Sequence, residues 1–243
     1  MKSVKMLLRL CLFLLLTAPV YAQQLQLEVK ELAPQVWVHT SFGVFGGKTF
    51  PSNGLIVATT DGVLLIDTAW GEEQTEQLLS WVQENLQQPV KMCLITHAHD
   101  DRMGGIAVLQ KQQIPVLSSA LTAELAPGKN LGKPDPTLAV GKKQKIGGQQ
   151  FEVFFPGAGH SPDNLVVYLP RQQILFGGCL VKDVTATNLG NLADADLESW
   201  PKAIQELQQR FPKTKTVVPG HGHWSDTKAL DRTLQLLQQH ANK

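Results

Sequence analysis

The chain has 243 residues, of which 43% are hydrophobic, and its 22 Lys and Arg nearly balance 21 Asp and Glu. This composition excludes a strongly basic nucleic-acid-binding protein, and three cysteines are too few for a disulfide-based scaffold. A chain of this length can bury a substantial core as one domain.

Residues 1–22 have the pattern of a secretory signal peptide. A basic start precedes an almost unbroken apolar run over 10–16, and "VYA" at 20–22 is a small-residue cleavage pattern. The run is too short to span a membrane. Cleavage would remove three positive charges and no negative ones, leaving 19 Lys and Arg against 21 Asp and Glu. We therefore predict a single mature domain, 23–243, in the periplasm and without stable membrane association.

The first part of the mature chain is predicted to be β-structure. "QVWVHT" alternates, and "NGLIVATTDGVLLIDTAW" (53–70) contains two apolar runs around an Asp61-Gly62 hairpin signal. Between them, 41–53 combines three glycines with three phenylalanines. Two interpretations stay open for this segment: a mobile aromatic loop that covers a ligand, or an ordinary hairpin tip with packed aromatics.

The remaining elements follow from periodicity and turn residues. Acidic residues begin a helix over 72–87, and Pro89 ends it. Glycine and proline make 127–136 a loop. The other predicted strands are 90–95, 151–155, 165–169 and 174–176, and the other predicted helices are 103–113, 119–126, 197–210 and 226–240, the last with Ser225 as its N-cap.

The sequence also contains an internal repeat. "NGLIVATTDGVLLID" parallels "DNLVVYLPRQQILFGGC", and "KMCLITHAH" parallels "KTVVPGHGH". Each half reads as a strand pair, a helix and a further strand that ends on histidine. Two such halves face to face predict an α/β fold, an αβ/βα four-layer sandwich of two mixed sheets with the helices outside. Polar side chains at the strand ends would then meet along one edge.

Metal-ligand residue types are concentrated at those strand ends. His97, His99 and Asp101 are spaced by two, so an extended segment would project them to one side and Asp100 to the other. Asp100 can instead cap the helix that follows. Further candidates occur among glycines after later apolar strands: His160, Cys179 and His221. Imidazole, thiolate and carboxylate are ligands that zinc prefers.

The other histidines and cysteine have simpler interpretations. His39 and His240 are interpreted as surface residues, and His223 as a structural residue or a support for a ligand. A Cys93–Cys179 disulfide is possible, but metal ligation is the more obvious use for a lone thiol in an oxidising compartment.

Four segments, "THAHDDRMGG", "GAGHSPDN", "FGGCLVK" and "PGHG", resemble the metallo-β-lactamase fold superfamily over essentially the whole mature chain. They resemble in particular its di-zinc class B β-lactamases, in which Asp, Cys and His hold the second metal. The resemblance implies a first zinc on His97, His99 and His160. It implies a second zinc on Asp101, Cys179 and His221.

The same resemblance implies roles for other residues. Lys182 would bind the substrate carboxylate, Asn191 would lie near the lactam carbonyl, and 41–53 would cover the substrate with Phe45 and Gly46. Asp101 would also orient the attacking hydroxide. Asp67, at the end of its strand, would support a ligand histidine. Position 102 is Arg where relatives with a "DH" motif carry a further histidine, and we assign it no catalytic role.

The implied activity is zinc-dependent hydrolysis of the lactam amide bond of penicillins, cephalosporins and carbapenems, which confers antibiotic resistance. The implied partner is the small-molecule substrate alone, and the expected state is a monomer. One alternative is a periplasmic di-zinc hydrolase of thioesters or other acyl compounds. A non-enzymatic zinc module is a second alternative, but it would close its coordination with protein ligands.

Overall fold

The computed structural model describes residues 25–242, so the signal-peptide prediction lies outside the described residues. Two sheets form the centre of the molecule, with strand orders β1-β2-β3-β4-β5-β6 and β11-β10-β9-β8-β7. The strands of the first sheet are β1 (Glu28–Ala33), β2 (Val36–Phe45), β3 (Lys48–Thr59), β4 (Gly62–Ile66), β5 (Val90–Leu94) and β6 (Val116–Leu117). Those of the second are β7 (Lys143–Ile146), β8 (Gln149–Phe154), β9 (Val166–Leu169), β10 (Ile174–Gly178) and β11 (Thr216–Pro219).

Helices cover the outer faces of both sheets. They are α1 (Glu72–Leu86), α2 (Asp100–Met103), α3 (Ile106–Lys111), α4 (Ala120–Leu125), α5 (Trp200–Arg210) and α6 (Lys228–Ala241), and a 3₁₀ turn (Ala126–Lys129) follows α4. No helix within residues 25–242 is long and apolar enough to cross a membrane.

The predicted repeat is present in the topology. In the first half, antiparallel β3 and β4 lead through α1 to β5, which pairs parallel to β4. In the second half, antiparallel β9 and β10 lead through α5 to β11, which pairs parallel to β10. In each unit, the two parallel strands therefore end at the same edge of their sheet.

Three apolar clusters define the four layers. The central cluster joins the inner faces of the sheets, with Leu55 and Leu64 from one and Phe151 and Phe176 from the other. A second cluster packs α5 and α6 on the second sheet, and a third packs α1 and α3 on the first. The predicted αβ/βα sandwich of mixed sheets is confirmed.

Several local predictions were wrong. The helix predicted over 103–113 is present but shorter, as α3 from Ile106 to Lys111, because Gly104 and Gly105 separate it from α2, which ends at Met103. Helix α6 begins after Thr227, not Ser225. Strands β1, β6 and β7 were not predicted, because all three are edge strands with weak apolar alternation.

Segment 41–53 is a regular β-hairpin and not an irregular loop. Strands β2 and β3 pair continuously from Val36↔Val57 to Phe45↔Lys48. Gly46 and Gly47 form the two-residue turn with φ of 55° and 73°, a conformation that glycine adopts without strain. Phe45 is 74% exposed at the tip. The structure therefore favours a hairpin whose aromatics are presented rather than packed, and its role as a substrate cover stays a prediction.

Candidate metal centre

Strand ends bring the six predicted ligand residues to one edge of the sandwich. His97, His99 and Asp101 follow β5, and His160 follows β8. Cys179 directly follows β10, and the segment after β11 carries the sixth residue, His221. Their donor atoms form three overlapping groups, each within 4.8 Å: His97, His160 and Cys179; His97, His99 and Asp101; Asp101, Cys179 and His221.

Three imidazoles meet in the first part of this cluster. His99 Nδ1 lies 3.1 Å from His97 Nε2 and 3.2 Å from His160 Nε2. Burial is the first cause that lowers the pKa of both His97 and His160 well below the usual value, so these rings are neutral at neutral pH. Three ring nitrogens this close together suit a shared cation.

A carboxylate, a thiol and an imidazole form the second part. Cys179 Sγ lies 3.5 Å from Asp101 Oδ2 and 3.2 Å from His221 Nε2. His221 Nε2 lies 3.3 Å from the same carboxylate oxygen. Without a cation, burial raises the pKa of the Cys179 thiol well above its usual value, despite the nearby Arg102 guanidinium. A thiol in this position would need a metal to become a thiolate.

The outer ring nitrogens indicate which tautomers face the cluster. His221 Nδ1 lies 2.7 Å from Pro51 O and donates to it, which directs Nε2 inward. His99 Nε2 lies 2.8 Å from Asp194 Oδ2, which directs Nδ1 inward. His160 Nδ1 has no hydrogen-bond partner among residues 25–242. Metal-ligating histidines characteristically donate the other ring N–H to such an acceptor, as His99 and His221 do here, so these residues fit a metal.

Asp101, and not Asp100, lies in the cluster, as predicted. The predicted reason was incomplete, however, because Asp100 and Asp101 both lie in α2 rather than in an extended segment. Asp100 is also not the N-cap, a position that His99 occupies. Its carboxylate instead accepts hydrogen bonds from Asp101 N at 2.9 Å and Trp70 Nε1 at 3.2 Å.

Arg102 is the residue that sequence reasoning missed. Its side chain is fully buried and lies 2.8 Å from Asp101 Oδ2 and 3.0 Å from Cys179 Sγ. It also donates to Asn53 O in β3 and to Gly220 O after β11. Burial raises the pKa of Asp101, but Arg102 and the nearby imidazoles outweigh it and hold that pKa well below its usual range. In the sequence, the only sign that Arg102 would lie beside two predicted ligands is its position in "HDDRMGG".

Asp67 does not contact a ligand histidine directly. Its carboxylate accepts from Thr96 N at 2.8 Å and from Thr96 Oγ1 at 2.9 Å. The Thr96 hydroxyl in turn lies 3.2 Å from His97 Nδ1. Because that hydroxyl donates to Asp67, His97 Nδ1 is the nitrogen that carries a proton. The predicted support is therefore relayed through Thr96, and burial raises the pKa of Asp67 to about 6 despite Arg102.

Lys182 and Asn191 flank the cluster in different ways. Lys182 is buried, its Nζ lies 5.2 Å from the Trp200 ring centroid, and burial lowers its pKa. Asn191 is exposed, and its Oδ1 accepts from Ala193 N at 3.0 Å. A ligand at Asn191 would therefore meet the amide nitrogen, which is a donor.

The interpretation of the other histidines was partly wrong. His39 is completely buried, not a surface residue, and its ring lies over Gly54, where a Cβ would come within 2.2 Å of His39 Nε2. His240 is exposed, as predicted. His223 is also exposed and lies outside the donor groups. Both Cys93 and Cys179 are free, so the possible disulfide does not form.

Comparison with known proteins agrees with this geometry. The family model described as the metallo-beta-lactamase superfamily matches residues 47–221. This chain belongs to that superfamily. Membership in the metallo-β-lactamase superfamily implies a metal cofactor, and the donor groups described above are candidates for holding it.

Individual relatives are similar over most of their length. A metallo-beta-lactamase type 2 of Bacillus sp. (strain 170) is 43% identical over 212 residues, which cover 87% of this chain and 82% of the relative. The structure of a metallo-beta-lactamase from Pontibacter korlensis is 59% identical, with a TM-score of 0.86 over 88% of this chain and 99% of that one. The metallo-beta-lactamase FIM-1 from Pseudomonas aeruginosa, solved in a mono-zinc form, is 36% identical, with a TM-score of 0.83 over 90% of this chain and 97% of that one.

Proposed function

We propose that this metallo-β-lactamase superfamily member hydrolyses the lactam amide bond of β-lactam antibiotics, penicillins, cephalosporins and carbapenems among them, and so confers resistance. The observation that carries the proposal is the convergence of six donor atoms beside Lys182 and the Asn191 loop. Relatives that cover most of the chain carry the β-lactamase name, which favours a lactam over a thioester as substrate.

The proposed cofactor is zinc, two ions per chain. His97, His99 and His160 would hold one, and Asp101, Cys179 and His221 would hold the other. Three protein ligands per ion leave coordination positions open, which favours a catalytic centre over a closed structural one. When bound, zinc supplies Lewis acidity and lowers the pKa of water to about 7, which makes a nucleophile available at neutral pH.

Substrate binding would depend on charge and on a donor. The Lys182 ammonium would attract the carboxylate next to the lactam nitrogen in a poorly hydrated position, where the attraction is screened little. The Asn191 amide nitrogen would donate to the lactam oxygen as negative charge develops there. Phe45 and Gly46, at the tip of the β2–β3 hairpin, would contact the bound substrate.

Asp101 would orient the attacking water. Its carboxylate stays ionised at neutral pH because the effect of Arg102 and the imidazoles exceeds that of burial on its pKa. An ionised carboxylate can accept a hydrogen bond from water and hold its lone pair toward the carbonyl carbon. Attack there forms a C–O bond and breaks the C–N bond of the strained ring; one water proton goes to the ring nitrogen and the other to solvent, which leaves an amine and a carboxylate.

The experiment is hydrolysis of a cephalosporin and a carbapenem by purified protein before and after chelation. We expect chelation to abolish hydrolysis, zinc to restore it, and serine-directed acylating inhibitors to have little effect. A thioester substrate serves as the comparison. Full hydrolysis by protein that elemental analysis shows to be metal-free would contradict the proposal, and so would activity on the thioester alone.

We also propose that residues 1–22 are a signal peptide and that the mature domain, 23–243, acts in the periplasm as a monomer. Intact mass measurement on exported protein tests the boundary, and we expect a chain that begins at Gln23. Size-exclusion chromatography with light scattering tests the monomer.

A further inference from the structure

Lys129 lies far in sequence from the ligand motifs, but Asp194 connects it to His99, one of the six predicted metal ligands. Lys129 Nζ is in hydrogen-bond contact with Asp194 Oδ2. The same oxygen lies 2.8 Å from His99 Nε2, on the side of the ring opposite the cluster. Three groups from three segments therefore form a continuous chain: ammonium, carboxylate, imidazole.

The segment that carries Lys129 has a defined conformation. Ser119 Oγ accepts from Thr122 N at 3.0 Å and caps α4. The 3₁₀ turn that follows is closed by Asn130 N, which donates to Pro127 O at 3.1 Å, and Asn130 itself adopts a left-handed conformation with φ of 57°. Lys129 therefore extends from a turn whose backbone is fixed.

Hydrogen bonds also fix the segment that carries Asp194. Asn191 Oδ1 accepts from Ala193 N at 3.0 Å, which closes the turn before Asp194. Asp196 N donates to Gly159 O at 2.8 Å, next to the ligand candidate His160. The contact between Lys129 and Asp194 thus joins two ordered loops beside the three-histidine group.

We propose that Lys129 is a positioning residue that holds the Asp194 carboxylate against His99 Nε2–H and keeps the Asn191 loop beside the three-histidine site. The inference rests on the proposed function and deepens it. The carboxylate fixes the His99 ring with Nδ1 facing inward, and Lys129 limits rotation of that carboxylate into water.

The expected effect is moderate because the ion pair is partly exposed. The side chains of Lys129 and Asp194 are 35% and 38% exposed, whereas that of His99 is 14% exposed. Removal of a group that directly supports a ligand costs about 10- to 100-fold in metal affinity. Lys129 is one hydrogen bond further from the metal than Asp194, and water screens the Lys129–Asp194 ion pair. We therefore expect the loss of Lys129 to weaken zinc affinity by roughly 3- to 10-fold.

The test measures zinc affinity in the full protein by chelator competition, without any β-lactam present. Lys129→Met should weaken the first zinc equivalent, and Lys129→Arg should restore it, because arginine keeps the charge and can reach the carboxylate. Lys133→Met is the matched control: Lys133 is an exposed lysine four residues on that makes no ion pair among the residues the structure describes. At about 1 M salt, where the Debye length is about 3 Å, the difference in zinc affinity between wild type and Lys129→Met should become smaller.

A second readout follows the His99 ring itself. In protein labelled with ¹⁵N-histidine and loaded with zinc, Lys129→Met should speed exchange of the His99 Nε2 proton with water, and Lys133→Met should not. Wild-type zinc affinity and wild-type exchange in Lys129→Met would overturn the proposal, as would an equal loss in Lys129→Arg. A wild-type protein that binds zinc but hydrolyses no β-lactam would contradict the proposed function alone, because neither readout uses a substrate.

Discussion

At the scale of single residues, the two cysteines within residues 25–242 differ in what surrounds them. Cys93 is buried in the apolar cluster between the first sheet and its helices. Cys179 is equally buried but lies 3.0 Å from an Arg102 nitrogen and 3.2 Å from His221 Nε2. Burial alone therefore does not distinguish them, and the polar neighbours of Cys179 do.

This contrast gives a matched pair of variants. Cys179→Ser replaces a soft charged donor with a neutral hydroxyl, so one zinc should remain tightly bound, the second should become weak, and hydrolysis should fall by about 100-fold or more. Cys93→Ser should keep both metals and lower the free energy of unfolding by roughly 1 to 3 kcal/mol, because it buries a hydroxyl among apolar groups. Metal content by mass spectrometry measures the first effect, and two tightly held equivalents in Cys179→Ser would exclude Cys179 as a ligand.

Lys182 is buried at the edge of the site, and its burial gives a pH dependence. Because burial lowers its pKa, the ammonium loses its proton at a lower pH than an exposed lysine does. The charge that would bind the substrate carboxylate is present below that pKa and is lost as the pH rises through it. We therefore expect KM to increase toward alkaline pH with kcat less affected.

Two variants test this interpretation of Lys182. Lys182→Ala should raise KM by about 10-fold or more at neutral pH and remove the alkaline increase. Lys182→Arg should extend the low-KM range, because a guanidinium stays protonated. Steady-state kinetics across pH make the measurement, and unchanged KM in Lys182→Ala for several β-lactams would show that this lysine does not bind the carboxylate.

At the scale of elements, the β2–β3 hairpin presents two apolar side chains in different directions. Phe45 and Gly43 share one face because side chains alternate along a strand, and Gly43 lies directly against Trp70. The Trp70 ring centroid is 6.4 Å from that of His221. The face that carries Phe45 is therefore the face toward the metal cluster, and Val44 lies on the opposite face.

Phe45 and Val44 lie on opposite faces of the hairpin, so substitutions at the two positions separate a covering role from simple exposure. Phe45→Ser should raise KM for bulky β-lactams by about 3- to 10-fold, since it removes apolar contact area from the substrate side. Val44→Ser, on the other face and 60% exposed, is the control and should leave KM unchanged. Neither change should alter the free energy of unfolding by more than about 0.5 kcal/mol, because both side chains are exposed. Equal effects of the two substitutions on KM would argue against a covering role.

At the scale of the whole molecule, Arg102 joins the two halves of the repeat. It donates to Asn53 O from the first sheet and to Gly220 O from the end of the second, and both Asp101 and Asp67 balance its charge. Asn53 adds contacts across the same boundary, with Nδ2 donating to Pro219 O at 3.0 Å. The halves therefore meet through a buried polar network at the metal edge and through apolar packing elsewhere.

We expect Arg102→Ala to destabilise the fold by about 3 to 5 kcal/mol, because it leaves a buried carboxylate without its partner. Arg171→Ala, at an exposed position, is the control and should change stability by less than about 0.5 kcal/mol. Urea unfolding of metal-free protein measures both. A small effect of Arg102→Ala would mean that water replaces the guanidinium, and that the network does not hold the halves together.

The sequence by itself determined the repeat, the four-layer sandwich and the six ligand candidates. Apolar periodicity is local information, and a strand that ends on histidine among glycines is visible without coordinates. It also ranked Asp101 above Asp100, although α2 replaces the extended segment on which that ranking relied.

Only the tertiary structure decided which residues surround and support the predicted ligands. His39 reads as a surface residue because its strand resembles an edge strand, and it is buried because Gly54 on the neighbouring strand leaves room for its ring. Arg102 follows its partner Asp101 directly, but its other partners and the Asp194 partner of Lys129 lie on segments up to 118 residues away. Such contacts depend on which strands the fold places side by side, and no local pattern in the chain records that pairing.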